Sequence, residues 1–448
     1  MATPNRHPMT DRQPSADATL ATLANGVRAL TISAPQLETV AVSVFVRTGS
    51  AHETRPLNGI SHFVEHMVFK GTETRDCRRI NLDAERLGAT VDAHTDKDHT
   101  AFHMSGLARH ASQFIAMLGE LVCSPSFPAA ELERERQVLL HEFAEDEDDP
   151  MTLAFQLFDR ACYGLHPLAQ PVIGTRANIE RLTRDDLVAY VNRQYTGSNV
   201  VVAVAGPTNV ALVAECVAAA FSGLPPGQPH VLAPPVYAGG VRVRPLAGSS
   251  QTHVVLGFPI PARADDDPAS LVAAALFGEG MSSPLLDRVR EQRGLVYHAG
   301  CSADVMDACG QFVIEASTGP DKLDELLREV MKLLASHAEA IDPVDLERAR
   351  NQIAVRLWRA QEQPMRRLEG SVLDLYAHGR LRTREGWMAR IESVTADDVR
   401  SVFQRMMAAG PALAIAGKVP RGAGERAREL LGCHRLPKTV AVKAPGRA

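Results

Sequence analysis

The chain has 448 residues, 45% hydrophobic and 23% charged, with a formal net charge of −5. That length exceeds one ordinary core and favours two to four domains, and the balance of residues excludes wholesale disorder and a membrane-embedded body. So weak a net charge, spread over the whole length, leaves no electrostatic footprint for nucleic acid.

The first stretch, MATPNRHPMTDRQPSADATLATL, interleaves Pro, Asp and Arg and has no apolar core of signal-peptide length. No window approaches the roughly 18 consecutive apolar residues a membrane helix needs, so a cytoplasmic location without membrane contact is expected. TVAVSVFVRTG from Thr39 is β-branched and partly alternating, hence a strand. NGISHFVEHMVFKGT, Asn58 to Thr72, then places His62, Glu65 and His66 within five residues. A long amphipathic helix is expected from about residue 130 to 147, with the acidic run Glu145 to Asp149 as its solvated end. IERLTRDDLVAYVNRQY carries a helix that starts at a Thr followed by two acids, and VVVAVAG is a strand. LPPGQPHVLAPPVYAGG, Leu224 to Gly240, reads as a linker.

After the linker the order recurs. THVVLGFPI is a strand, a second long helix is expected from about residue 343 to 361, and IESVTADDVRSVFQRMM is again a Thr-capped helix followed by a strand, ALAIAG. The closing KTVAVKAPGRA reads as a solvated basic tail. The seven cysteines are scattered and include no C-x-x-C pair, which suits reduced, mostly buried thiols better than a disulfide framework or a thiolate metal site. The chain therefore reads as an internal duplication of one α+β unit: residues 1–223, a linker over 224–240, and residues 241–448. Each unit is expected to be a mostly antiparallel sheet covered on one face by helices.

The duplication acts as an internal control on the histidines. Positions i and i+4 share a helix face, so His62 and His66 can address one ion, with Glu65 beside them. A third ligand is needed, and ELERERQVLLHEF offers Glu135 and Glu142, two helical turns apart on one face. In the second copy these positions hold Ser283, Leu286, Asp287, Ala349 and Arg356, so only the first copy is equipped for a metal. His141 points about 100° away from Glu142 and is left out of the site.

Taken together, GISHFVEHMVFKGT, ERERQVLLHE and GMSSPLLDRVREQRGLVY resemble the pitrilysin/insulinase family of inverted-motif zinc peptidases, which includes the mitochondrial processing peptidase. The likeness covers nearly the whole chain. It implies α+β units of the LuxS and processing-peptidase kind and one Zn2+ per chain held by His62, His66 and Glu142. It also implies Glu65 as general base, Glu135 as a carboxylate supporting the site, and Arg290 and Tyr297 as the pair that binds substrate backbone and the developing oxyanion. The implied activity is endopeptidase cleavage of unfolded or short peptides inside a dimeric chamber, with Arg290 and Tyr297 acting on the partner chain's site. A homodimer is expected; the alternatives are a heterodimer with a homologous subunit and a non-catalytic complex subunit.

The chain departs from the family pattern in LGATVDAHTDKDHTAF, where Ala89 replaces a glycine and Asp92 an asparagine. Asp92 is expected to bring an extra negative charge near the metal. With three ligands already assigned, His94, His99 and His103 are read as strand-face or polar groups.

Overall fold

The computed structural model describes residues 17–432. Residues 1–16, the tail from 438 and Cys433 lie outside the described residues. One sheet has six strands in the order β1-β2-β6-β3-β5-β4. These are β1 (Ala18–Thr22), β2 (Arg28–Ser33), β3 (Thr39–Val46), β4 (Thr90–Thr95), β5 (Thr100–Leu107) and β6 (Val200–Gly206). The other has five, β7 (Gly240–Pro245), β8 (Thr252–Ile260), β9 (Val296–Val305), β10 (Gly310–Thr318) and β11 (Ala412–Gly417), in the order β7-β11-β8-β10-β9.

Without β1 the two sheets have the same connectivity. In each, the first strand lies parallel to the last one, β2 to β6 and β7 to β11, and every other neighbour is antiparallel. The duplication is thus a repeat of topology. The two Thr-capped helices, Arg184–Gln194 and Ala396–Ala409, match in detail: Thr183 and Asp186 form a capping box, and so do Thr395 and Asp398. The long helices run Ala129–Asp148 and Pro343–Glu362. The acidic run ends the first of them, and its Asp149 caps the helix Pro150–Tyr163 by accepting from the Met151 and Thr152 amides.

Two expectations need correction. The chain forms two compact units, but they are not the contiguous halves 1–223 and 241–448. The first comprises the chain to Phe143, Gln170–Ala233 and Ala354–Ser393; the second comprises Ala144–Ala169, Pro234–Ile353 and the chain from Val394. Each unit borrows helical cover from the other half of the sequence. The sheets are accordingly covered on both faces, not one.

The physical reason lies in the strands. On β3, Val40, Val42, Val44 and Val46 face one apolar cluster while Ala41 and Phe45 face another, so neither side can be left to water. In the first unit the helix Pro364–His378 closes that second face with Leu368, Val372, Leu375 and Tyr376, one helical stripe. Each such fully buried side chain contributes roughly 1.5–3 kcal/mol. In the second unit Pro150–Tyr163 packs on β7, β8 and β11, where a side chain at Gly257 would meet the Phe158 ring at 2.6 Å.

Among the described residues the six cysteines are all free thiols, but only Cys162 and Cys309 are buried. The expectation of mostly buried thiols fails for four of the six, since Cys77, Cys123, Cys216 and Cys301 are partly exposed. No helix among the described residues is long and apolar enough to cross a membrane.

Candidate metal centre

The helix Ile60–Val68 buries Ile60, Phe63, Val64, Met67 and Val68, which leaves His62, Glu65 and His66 on its other face. Its start is closely determined. Gly59 takes φ +100°, and a Cβ there would meet the Ile173 carbonyl oxygen at 2.8 Å and Gly174 Cα at 2.9 Å. The buried Glu53 carboxylate accepts from the Gly59 amide (2.7 Å), the Ser61 amide (2.8 Å) and the Asn58 side chain (2.9 Å). On the buried face, the Tyr190 hydroxyl lies 2.7 Å from Ser61 Oγ and 2.8 Å from Thr48 Oγ1. Sequence reading missed Glu53; a lone acid in a loop carries no signal of a capping role.

The helix Ala129–Asp148 brings up the other half of the centre. Glu142 Oε2 stands 3.8 Å from His62 Nε2 and 3.6 Å from His66 Nε2. These three side chains offer ligand atoms that all lie within 4.8 Å of one another. Burial holds the His62 imidazole down at about 4, so near neutral pH it is uncharged and its approach to Glu142 is not an ion pair. Two imidazoles and a carboxylate converging in this way suit a borderline divalent ion such as zinc, with room for a non-protein ligand.

Glu135 is buried beside the centre. His66 Nδ1 donates to its Oε2 at 3.1 Å, which fixes the tautomer that leaves Nε2 for a metal, and the Lys70 ammonium lies 2.7 Å from its Oε1. Lys70, four residues past His66 and just beyond the helix, carried no sequence signal of this role. His62 has no such support, since its Nδ1 is buried without a hydrogen-bond partner. Glu65 accepts a 2.6 Å hydrogen bond from Thr95 Oγ1 at the end of β4. Burial raises the Glu65 pKa above the ordinary carboxylate range; the Thr95 bond and His66 oppose this, while Glu142 and Asp92 add to it. Asp92 is exposed and is the weakest of these influences, so an aspartate at this position bears little on Glu65. His141 is exposed and outside the ligand group.

Arg290 and Tyr297 belong to the second unit, where they stand together. The guanidinium carbon lies 5.7 Å from the Tyr297 ring centre, and Arg290 Nη1 reaches Met281 Sδ at 3.5 Å. Tyr297 is 83% exposed, an unusual setting for a tyrosine with no structural task of its own. Among the described residues no group of three or more potential metal ligands occurs in the second unit.

Residues 28–176 match the model for the insulinase peptidases, family M16, and residues 181–353 match the model described as the M16 inactive domain. An uncharacterized zinc protease of Rickettsia bellii is 30% identical over 88% of this chain and 96% of its own length. Another, YmxG of Bacillus subtilis, is 28% identical over 88% of this chain and 97% of its own. The fold is that of a protease from Helicobacter pylori, with TM-score 0.82 and 22% identity over 89% of this chain and 99% of that one. A Pseudomonas fluorescens M16 structure gives TM-score 0.81 and 23% identity over 90% and 99%. The chain belongs to the insulinase family of peptidases, M16.

Proposed function

We propose that this protein is a zinc-dependent endopeptidase that hydrolyses peptide bonds in unfolded or short peptides, with Glu65 as general base. The observation that carries this reading is the convergence of His62, His66 and Glu142 from two helices, with Glu65 held beside them by Thr95. When bound there, zinc supplies a Lewis acid that acidifies water and polarises a carbonyl. The chain's own residues do the rest. Glu65, whose burial raises its basicity, takes the proton of the attacking water and delivers it to the leaving amine. Glu135 keeps His66 in the ligating tautomer.

β4 is an edge strand, bonded only to β5, so an extended peptide can pair with its free edge through main-chain hydrogen bonds. Arg290 and Tyr297 are donors suited to a substrate carbonyl that gains charge. Their exposure favours contact with something outside their own unit, and we assign them to the substrate held at the metal centre of a partner copy in a homodimer. The test is cleavage of an unstructured fluorogenic peptide by the purified chain, with chelator and zinc add-back, beside Glu65→Gln. Chelator-sensitive turnover absent from a zinc-loaded Glu65→Gln variant supports the reading; equal turnover in that variant removes Glu65 as the base. Mixing Glu65→Gln with Tyr297→Phe under subunit exchange should restore activity, and a mixture that stays inactive overturns the action in trans.

A further inference from the structure

On the face of β4 opposite Thr95 lies a second group of ligands. His94 follows the period-2 alternation away from Glu65, His99 sits in the turn before β5, and Glu369 comes from the helix Pro364–His378, all within the first unit. Their ligand atoms all lie within 4.8 Å of one another.

A chain of hydrogen bonds engages the other ring nitrogens. Ser43 Oγ lies 3.1 Å from Met365 Sδ and 2.8 Å from His103 Nδ1. His103 Nε2 in turn lies 3.2 Å from His94 Nδ1. On the other side His99 Nδ1 donates to Asp98 at 2.7 Å. Both remote nitrogens are spoken for, and the two Nε2 atoms of His94 and His99 face each other at 3.2 Å. With Nδ1 of each ring engaged elsewhere, the two Nε2 atoms are placed to share a divalent ion, or a proton carried by one of them. Two nitrogens each about 2.0–2.1 Å from one tetrahedral zinc stand roughly 3.3 Å apart. Asp98 and Ser43, through His103, supply the outer partners that ligating histidines ordinarily have.

We propose that His94, His99 and Glu369 form a second binding site for a zinc-like divalent ion, separate from the centre at His62, His66 and Glu142. A metal here ties the β4–β5 hairpin to a helix drawn from the other half of the sequence. It thereby steadies the strand whose next residue, Thr95, holds Glu65. The competing occupant of the gap is a proton, which Asp98 favours by raising the pKa of His99 against its burial.

The experiment removes the first site and counts metal. The full chain carrying His62→Ala and Glu142→Ala is stripped with chelator, dialysed against micromolar zinc chloride, and assayed for bound zinc. The expected result is about one zinc per chain, falling to none when His94→Gln and His99→Gln are added, with an unchanged far-ultraviolet circular dichroism spectrum. Should that combination fail to fold, the half-buried Glu369→Gln is the second variant, expected to weaken the remaining zinc at least tenfold. No zinc bound after loss of the first site overturns the proposal, as does zinc unaffected by any of the three replacements.

Discussion

Thr95 Oγ1 donates a 2.6 Å hydrogen bond to Oε2 of Glu65, joining the last residue of an edge strand to the helix that carries His62 and His66. The bond aims one of the two carboxylate oxygens. Removing it in Thr95→Val costs a hydrogen bond to a charged group, about 1.5–3 kcal/mol, or roughly a 10–100-fold loss in kcat. Zinc content should not change, because Thr95 touches no ligand. Steady-state kinetics beside metal analysis checks this; a loss confined to KM would place Thr95 in peptide binding instead.

Glu135 and His66 make the corresponding prediction for the ligands. Glu135→Gln leaves a shape that still accepts from Nδ1 but loses the charge and unpairs Lys70. Metal affinity should fall about 10–100-fold, as measured by competition with a chromophoric chelator. Glu135→Ala should fall further, because His66 Nδ1 then loses its acceptor as well.

Gly59→Ala tests how the helix is set. The left-handed φ and the contacts below 3.0 Å with Ile173 and Gly174 mean that the helix start must shift. The expected cost is about 1–3 kcal/mol of stability, read from the urea midpoint, together with weaker zinc binding. Ser61→Ala, which loses the hydroxyl that bonds Tyr190 and Glu53 on the buried face, should destabilise without changing zinc affinity.

A pH dependence follows from His52. Burial, aided by His230 at 5.5 Å between ring centres, lowers its pKa to about 4. The unfolded chain binds the proton near pH 6.5, before the folded chain does, so this group's contribution to stability is present above that value and is lost as pH falls towards about 4. Chemical denaturation at a series of pH values should show the decline, and His52→Gln should make it shallower. An unchanged slope would mean that His52 is protonated alike in both states.

The period-2 and helical patterns, the two Thr-capped helices and the linker all followed from residue order, because strand alternation and capping are local events decided within a few residues. The metal motif was equally legible: i, i+4 spacing fixes which side chains share a helix face, and the loss of every ligand in the second copy marked the first as the one with chemistry.

What lay beyond the sequence depended on distant segments meeting. Nothing in PMRRLEGSVLDLYAH says that its apolar stripe closes the back of β3 more than 300 residues earlier, or that PMTLAFQLFDRACY leaves its own half to cover β8. A helix stripe states that it must be buried but not against what. The same holds for the histidines on β4. Alone they read as strand-face polar groups, and only the packing of Pro364–His378 against that face brings Glu369 to them. Sequence by itself paired His62 with His66 because the two are local to one helix; tertiary structure decided the cluster on β4, since its carboxylate arrives from a helix about 270 residues away.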